Sequence, residues 1–485
     1  MAANSNSNSK SSDRVPVLPP PLDSSATEEI GALADSVWTR GLGEAPNIAR
    51  VASQTLKGVG GRVAIVDGCR TPFCRAGTDF RDMDVIDLAG VASAELLART
   101  GLPPEEVDYS IFGVVVPALQ APNLGREVVF RASLPMTIPG TTVSLACASS
   151  NRAITSGAEA ILTGQCDVVL TGGAESLSNV PILVSKPASR RLMELDKAKS
   201  VGQKLAVASK IRPRDLVPVP PAIAEYTTGM TMGEACEKMA KENKISRRAQ
   251  DEIALMSHQR AAAATEEGRL SRQIVSTFPR PGFDTAVSVD NGIRPDSTAE
   301  ALGQLKPVFD RRYGTLTAGN SSPITDGASA VLLMSEDKAR ALGYSPLGYI
   351  RSFAYASLDP GTQLLQAPAY AAPVALDRAG LKLADIDLVE MHEAFAAQVL
   401  SNMKAFASRK FAAQELGRSE PLGEIDLERF NVNGGSIALG HPFGATGGRV
   451  TIQLLEELRS RSMNLGLITV CAAGGIGLAM VVERD

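Results

Sequence analysis

Hydrophobic positions along this chain fall into short β-branched runs separated by longer segments of small residues. The first run, RVAIVD at 62–67, is followed by a turn of Gly, Cys, Arg, Thr and Pro and then by a helical pattern over 84–100. From there to about residue 180, runs such as IFGVVV and CDVVLTGG alternate with small-residue helical patterns. This alternation predicts an α/β fold with a largely parallel sheet.

The segment 181–300 has a different pattern, with fewer buried runs and more charge. A helix is predicted over about 247–267, followed by Pro- and Gly-rich turns. We interpret the segment as an insertion that covers the strand ends, where α/β proteins place their sites. Its Lys- and Arg-rich part, 186–214, has two interpretations: a solvated helical face, or a surface for acyl-CoA phosphates, a partner subunit or membrane lipid.

The strand and helix alternation returns near Leu316, and the second half of the chain weakly repeats the first. CASSNRAITSGAEAILTGQCDVVLTGG is a Cys turn, a small-residue helix and a strand ending in Gly-Gly. GHPFGATGGRVTIQLLEELRSRSMNLGLITVCAAGG is a His turn followed by a similar helix and strand. Two related halves packed back to back would bring the Cys turn and the His turn together.

Composition narrows the function classes. A chain of 485 residues predicts two or three domains, and 4% aromatic residues within 44% hydrophobic residues favour a layered interior of small aliphatic side chains. A net charge of -4 without interleaved Arg and aromatic residues argues against nucleic-acid binding. The six Cys lack the spacing of a zinc site or a disulfide scaffold, which predicts free thiols in a reducing compartment and no metal.

The N-terminal 60 residues begin with a Ser/Asn run and a Pro cluster, MAANSNSNSKSS and PVLPPPLD. They lack the apolar core of a signal peptide and the Arg-rich pattern of a transit peptide. We therefore expect residues 1–60 to be a disordered or loosely docked extension of a cytoplasmic protein. No apolar run approaches the ~20 residues that a membrane-spanning helix needs.

Cys147 is the first candidate for chemistry, because it lies in SLACASS where a strand ends and a small-residue helix begins. The N–H groups and dipole at a helix N-terminus stabilise a thiolate and lower the pKa of a cysteine. A small buried hydrophobe is the alternative for any single Cys. The polar Ser/Asn surroundings favour a nucleophile.

The chain has only three His. His258 lies on a charged helix and is interpreted as structural. His441, between Gly440 and Pro442, lies in a restricted turn that suits a general base. His392 in EMHEAF follows a strand-like IDLV, and both a buried structural role and an oxyanion-donor role stay open.

Cys471 ends the apolar strand LITV and opens a Gly-containing turn, AAGG, whose N–H groups can point into a cavity. This Cys is a candidate acid/base. The other four Cys are interpreted as packing or surface residues. GHPFGATGG lacks the P-loop Lys-Ser/Thr, and no G-x-G-x-x-G follows the first strand, so neither ATP nor NAD binding is predicted.

Seven motifs, in this order, together resemble the thiolase family over residues 61–485: RVAIVDGCRTPF, SLACASS, LTGGAES, TAGNSSPITDGASA, HEAFA, NVNGGSIALGHPFGATGGR and CAAGG. The H-E-A-F form, where most thiolases have N-E-A-F, and LVPVPPAIAEYTTGM look most like the 3-ketoacyl-CoA thiolase β-subunit of the fatty-acid oxidation (trifunctional) complex.

The resemblance implies a thiolase fold, in which two related βαβαβ halves form five α-β-α-β-α layers with an inserted loop domain. The N-terminal half would comprise 61–180 and 301–330, the loop domain 181–300 and the C-terminal half 331–485.

By resemblance, Cys147 is the acylated nucleophile, His441 its base and Cys471 the acid/base for the acetyl carbon. His392 would donate a hydrogen bond to the enolate or thioester oxygen, and Ser322 matches a serine that contacts the pantetheine arm of CoA. The backbone N–H groups of Cys147 and Ala473 would form a second oxyanion hole. Coenzyme A is then a co-substrate, and no bound cofactor is expected.

The implied activity is cleavage of a 3-ketoacyl-CoA by CoA to acetyl-CoA and a shortened acyl-CoA in fatty-acid β-oxidation. A homodimer and an α-subunit with hydratase and dehydrogenase activities are implied with it. A biosynthetic acetoacetyl-CoA thiolase and a non-catalytic lipid- or CoA-binding protein are the alternatives. A ketoacyl synthase of the same fold is disfavoured by Cys471, because decarboxylation needs no acid/base cysteine.

Overall fold

The strands form one mixed sheet in a computed structural model, which describes residues 61–219 and 224–485. The sheet order is β4-β3-β5-β6-β1-β7-β10-β9-β8, and β2 pairs with β6 outside this path. The strands are β1 (Val63–Arg70), β2 (Cys74–Arg75), β3 (Tyr109–Gly113), β4 (Gly140–Val143), β5 (Val168–Glu175), β6 (Thr325–Ser335), β7 (Gly348–Ser357), β8 (Leu388–Met391), β9 (Leu465–Ala472) and β10 (Ile476–Glu483).

The prediction of a largely parallel sheet is wrong for the sheet as a whole. Among the described strands, only the pairs β3–β4, β3–β5 and β8–β9 are parallel. The pairs β5–β6, β6–β1, β1–β7, β7–β10 and β10–β9 are antiparallel. The physical reason lies in the connections: β9 and β10 are joined by a tight hairpin, and β6 returns to β5 only after the long insertion. The alternation of strands and helices along a chain does not show whether two neighbouring strands run parallel or antiparallel.

The helices alternate with these strands, and five of those described lie in or at the end of the insertion. They are α1 (Val85–Thr100), α2 (Leu124–Arg131), α3 (Ser149–Leu162), α4 (Lys186–Lys197), α5 (Val201–Ala208), α6 (Met232–Glu242), α7 (Arg247–Glu266), α8 (Ala299–Gly303), α9 (Glu336–Ala341), α10 (Pro368–Ala379), α11 (Ala396–Ala407), α12 (Arg409–Glu415), α13 (Ser436–Leu439) and α14 (Thr446–Ser460). Both predicted helix starts coincide with side-chain caps, Asp84 before α1 and Ser246 before α7.

In the described chain, three large clusters of buried apolar side chains lie between five layers, in which the two ends of the sheet form separate layers. In the first cluster, α1 and α2 pack on β3, β5 and β6. In the second, the opposite face of these strands and one face of β8, β9 and β10 enclose α3 and α14. In the third, α10 and α11 cover the other face of β8, β9 and β10. The predicted α-β-α-β-α arrangement is therefore confirmed.

The two middle-layer helices meet at their N-terminal ends, and this meeting positions the site. The Gly448 N–H donates to Ser150 Oγ at 2.9 Å, and Asn151 Nδ2 donates to the Gly447 carbonyl at 3.3 Å. A Cβ on Gly447 would lie 2.1 Å from Asn151 Oδ1. Only glycine permits the approach, so the Cys turn before α3 and the His turn before α14 lie side by side.

The insertion is mostly helical, and it contains α4 to α8. Its helices α6 and α7 bury apolar side chains against α11, whereas α4 and α5 are largely exposed. In residues 61–219 and 224–485, no helix is long and apolar enough to cross a membrane. The predicted extension 1–60 lies outside the described residues, and the predicted domain boundaries stay a prediction.

A buried ion pair attaches the end of the insertion to β1. Arg70 donates through both terminal nitrogens to the Asp290 carboxylate, each at 2.7 Å, and both side chains are fully buried. Asp290 also accepts from the Phe73 N–H at 2.7 Å. This bidentate pair holds the segment that follows α7 against the sheet.

We predict that Asp290→Ala destabilises the fold by about 3–5 kcal/mol, because it leaves the Arg70 guanidinium buried without a counter-charge. Urea unfolding measures the effect. Asp284→Ala, an exposed acidic residue of the same segment, is the matched control. Midpoints that agree for the two variants would contradict the role given to the ion pair.

Candidate active site

The Cys147 turn is a tight, hydrogen-bonded bend just before α3. Ala146 adopts a positive φ of 46°, which is unfavourable for a residue with a side chain. The Ser149 hydroxyl donates to the Ala146 carbonyl at 2.7 Å and accepts from the Leu145 N–H at 2.8 Å. Cys147 is partly buried at the apex of this bend, so its sulfur is fixed in place and still approachable.

The His441 turn places an imidazole nitrogen on that sulfur. His441 Nε2 lies 3.1 Å from Cys147 Sγ, a contact between residues 294 positions apart in the sequence. Gly440 supplies the bend with a φ of 105°. On the other side of the ring, Nδ1 lies 2.6 Å from Thr446 Oγ1. The predicted nucleophile and base are therefore in direct contact.

A buried carboxylate holds the His441 turn against the first half of the chain. The Glu175 side chain accepts from the N–H groups of Gly444 at 2.9 Å, Val116 at 2.8 Å and Val115 at 3.1 Å. A Cβ on Gly173 would lie 2.0 Å from the Gly444 carbonyl oxygen. The backbone contact between the two halves therefore depends on glycine at position 173.

His392 lies beside His441 at the end of β8. The two ring centroids are 4.1 Å apart, and His392 Nδ1 lies 2.9 Å from Ser436 Oγ. His392 Nε2 is buried and has no hydrogen-bond partner among the described residues. An unpaired buried nitrogen is costly, so it marks a place where a substrate atom can accept or donate.

Cys471 and Ala473 form the third side of the site. Cys471 is 1% exposed at the end of β9, and it is close enough to Cys147 for the two sulfurs to interact electrostatically. The N–H groups of Ala473 and of Cys147 itself lie near the Cys147 sulfur and favour its thiolate form. The positive φ angles of this turn fall on Gly474 (83°) and Gly475 (70°), so Ala473 is free of that strain.

Ser322 lies next to the backbone segments that carry His392 and His441. Its N–H donates to the Ala394 carbonyl at 3.0 Å, two residues after His392. The neighbouring Ile324 forms a backbone bridge with His441. Ser322 is partly buried, so its hydroxyl lies at the edge of the site and not in the core.

Burial keeps the nucleophile and its base neutral in the free protein. Burial raises the pKa of the Cys147 thiol to about 12, and the nearby N–H groups of Ala473 and Cys147 offset only part of that rise. Burial, with the Arg449 charge as a smaller cause, lowers the pKa of His441 to about 3. The predicted lowering of the Cys147 pKa by the helix end is therefore wrong in sign, because desolvation outweighs the N–H groups.

Three supporting residues of the site were not predicted from the sequence: Glu175, Ser436 and Arg449. Arg449 is fully buried and donates to Ser436 Oγ at 2.7 Å. The sequence feature that points to Arg449 is its position in the small-residue run GATGGRV, because a charged residue in such a run is out of place on a solvated surface.

The Cys147 sulfur and one nitrogen each from His392 and His441 lie within 4.8 Å of one another. Sulfur and imidazole ligands are the set that a soft divalent metal takes. The same atoms form the contact between nucleophile and base, and the expectation of no metal stays a prediction.

We predict that iodoacetamide alkylates Cys147 of the free protein at a rate that rises about tenfold per pH unit from about pH 6 to about pH 9, because the thiolate fraction grows with pH below a raised pKa. The rate measured for Cys147→Ala is subtracted to remove the other thiols. A rate that does not change over this range would instead indicate a thiolate–imidazolium pair with His441.

Comparisons with known proteins agree with this geometry. The model of the thiolase N-terminal domain matches residues 63–337, and the model of the thiolase C-terminal domain matches residues 344–484. A 3-ketoacyl-CoA thiolase from Yersinia enterocolitica is 50% identical over 426 residues, which are 88% of this chain and 98% of that protein.

Solved structures give the same result. The acetyl-CoA acetyltransferase of Bacillus anthracis superposes with a TM-score of 0.76 at 32% identity, over 88% of this chain and all of that one. Human mitochondrial 3-ketoacyl-CoA thiolase in complex with CoA superposes with a TM-score of 0.73 at 32% identity, over 89% of this chain and 99% of that one. From its sequence motifs, its layered fold and these matches, this chain belongs to the thiolase family.

Proposed function

We propose that this thiolase cleaves a 3-ketoacyl-CoA with CoA, yielding acetyl-CoA and a shortened acyl-CoA. The observation that carries the proposal is the 3.1 Å contact between Cys147 Sγ and His441 Nε2, with Cys471 beside it. A soft nucleophile, its base and a second thiol are the groups that a thiol-dependent cleavage of a carbon–carbon bond requires.

In the first half-reaction, His441 Nε2 takes the Cys147 proton as the sulfur attacks the ketone carbon. The bond between C2 and C3 then breaks, and its electron pair goes to C2, which leaves as the enolate of acetyl-CoA. Cys471 donates its proton to C2. Burial holds the pKa of the Cys471 thiol well above its usual range, which keeps that proton in place until a strongly basic carbon forms.

The enolate oxygen needs hydrogen-bond donors in a site that excludes water. His392 Nε2, buried and unpaired among the described residues, is one candidate, and the newly protonated His441 Nε2 is the other. Their rings lie side by side, which lets both nitrogens reach one oxygen. Donors fixed in advance stabilise the charge without reorganising during the reaction.

Before the second half-reaction, a proton passes from His441 to the Cys471 thiolate, so the imidazole is again a base. His441 then takes the thiol proton of CoA as the CoA sulfur attacks the acyl group on Cys147. The N–H groups of Cys147 and Ala473, which lie near the sulfur in the free protein, would hold the oxyanion. Cys147 leaves as a thiolate and recovers its proton from His441. Both thiols and the imidazole return to their starting states, which gives ping-pong kinetics.

Coenzyme A is proposed as the co-substrate, and Ser322 as a contact to its pantetheine arm. The human mitochondrial relative is a complex with CoA, and Ser322 lies beside both His turns at the edge of the site. A role in fatty-acid β-oxidation follows from the 3-ketoacyl-CoA thiolases that this chain resembles.

A biosynthetic acetoacetyl-CoA thiolase is the second candidate, favoured by the match to an acetyl-CoA acetyltransferase. The two candidates share all the groups described above and differ in the acyl chain accepted. The alternative of a non-catalytic lipid- or CoA-binding protein is disfavoured, because such a protein has no need of a nucleophile, a base and an acid/base cysteine in one site.

We propose a cytoplasmic homodimer that works with an α-subunit carrying hydratase and dehydrogenase activities. The edge strand β4 is partly exposed along its length, which supports pairing between two copies. On α4 and α5, the exposed apolar side chains of Met193 and Leu205 lie among basic residues. This surface suits the α-subunit or, alternatively, a peripheral membrane contact.

We predict that Cys471→Ala separates the two halves of the chemistry. Solvent deuterium exchange at C2 of acetyl-CoA should fall by about 10²-fold or more, because the acid/base is gone. Acyl exchange between CoA thioesters should stay within about tenfold, because Cys147 and His441 are intact. Cys236→Ala, a buried thiol close to Cys471, is the matched control and should keep both reactions. Equal losses of both reactions in Cys471→Ala would contradict the proposed role.

The activity itself is tested with purified protein, CoA and a series of 3-ketoacyl-CoA chain lengths, with the thioester products identified by mass. We expect acetyl-CoA and the shortened acyl-CoA in equal amounts, with cleavage extending beyond acetoacetyl-CoA. Cleavage of acetoacetyl-CoA alone would support the second candidate. No cleavage by the wild-type protein at any length would overturn the enzymatic proposal.

A further inference from the structure

The two adjacent imidazoles of the site each contact a different hydroxyl group through Nδ1. His441 Nδ1 contacts Thr446 Oγ1 at 2.6 Å, and His392 Nδ1 contacts Ser436 Oγ at 2.9 Å. A neutral imidazole carries one proton, so the hydroxyl at Nδ1 decides whether Nε2 is a donor or an acceptor. Each hydroxyl has a second partner, and these partners differ.

The second partner of Thr446 is an acceptor. Its hydroxyl donates to the Pro442 carbonyl at 3.0 Å, which uses its only proton. Its lone pair is then available to His441, so Nδ1 of His441 carries the proton. The lone pair of His441 Nε2 therefore points at Cys147 Sγ, as a base requires.

The second partner of Ser436 is a donor. Arg449 Nη2 donates to Ser436 Oγ at 2.7 Å, and a guanidinium has no lone pair with which to accept. In the described chain, the other hydrogen-bond partner of the Ser436 hydroxyl is His392 Nδ1, so the serine proton points there. Nδ1 of His392 is then an acceptor, and its proton lies on Nε2.

We propose that Ser436 and Arg449 are positioning residues that hold His392 as the Nε2–H tautomer, so that it donates to the enolate oxygen. The inference rests on the proposed thiolytic function and goes one step further. Thr446 sets the neighbouring imidazole to the opposite tautomer. Two adjacent histidines thus serve as a base and as a hydrogen-bond donor, because their two hydroxyl partners make different second hydrogen bonds.

The surroundings of Arg449 fix its orientation toward Ser436. The guanidinium is fully buried, and its Nη1 lies 3.5 Å from Glu390 Oε2. Glu390 is itself held by Gln453 Nε2 at 2.9 Å. A lysine in this place could still donate to Ser436, whereas an apolar residue would leave the serine proton free to turn away from His392.

Imidazole ¹⁵N shifts test the tautomers directly, because the chain has only three His. In protein labelled with ¹⁵N-histidine, we expect the proton of His392 on Nε2 and that of His441 on Nδ1. His258 is an internal reference for the Nε2–H form, because its Nδ1 accepts from the Arg294 N–H at 3.3 Å. His392→Asn and His441→Asn assign the signals.

Ser436→Ala should move the His392 proton wholly or partly to Nδ1 and leave the His441 signals unchanged. Its kcat should fall by about 10–10²-fold with KM within about threefold, because a lone pair at Nε2 repels the enolate. Ser436→Thr keeps a hydroxyl and should retain the His392 tautomer and most of the rate. Arg449→Met should resemble Ser436→Ala, and Arg449→Lys should be milder.

A proton on Nδ1 of His392 in the wild-type protein would overturn the proposal, and so would an unchanged His392 pattern in Ser436→Ala. The ¹⁵N measurement needs no turnover, so it separates this inference from the proposed function. Wild-type protein that cleaves no 3-ketoacyl-CoA would remove the function, whatever tautomer His392 adopts.

Discussion

The structure depends on one contact, in which a nitrogen of His441 from the second half of the chain lies 3.1 Å from the sulfur of Cys147 in the first half. Neither turn could make this contact alone, because each lies at the start of a helix in a different half. The halves approach closely enough only where glycine removes a side chain, at Gly447 against Asn151 and at Gly173 against the His441 turn. The layered fold, the paired middle helices and the three N–H bonds to Glu175 all maintain that approach.

Burial gives the site its electrostatic character. It raises the pKa values of the Cys147 and Cys471 thiols and lowers those of the two imidazoles, so all four groups are neutral before substrate binds. Arg449 is a buried cation next to them, and its charge contributes to keeping both imidazoles unprotonated. A neutral site of this kind forms charges only when a substrate bond is being made or broken, and its fixed hydrogen-bond donors then act at full strength.

Much of this could be predicted from the sequence. The helix over 84–100 and the one near 247–267 had strong periodicity and capping residues, and the repeat of Cys turn and His turn predicted their meeting. The antiparallel return of β10 has a local signal, since the short Gly-Gly turn after β9 is typical of a hairpin. The antiparallel return of β6 could not be predicted, because β6 pairs with β5 only after the long insertion. The sign of the Cys147 pKa shift was missed for a similar reason: desolvation is a property of the assembled core. Ser436 and Arg449 lie within the motif NVNGGSIALGHPFGATGGR, but their role could not be predicted from it, since that role exists only through contacts between α13, α14 and the end of β8.

The most direct test of the account is to trap the acyl group on the protein. Protein incubated with a 3-ketoacyl-CoA in the absence of free CoA is quenched, digested and analysed by mass spectrometry. We expect one acyl group, on the peptide that contains Cys147, together with an equal amount of released acetyl-CoA. Cleavage with no acyl group on the protein, or with the acyl group on Cys471 or another residue, would contradict it.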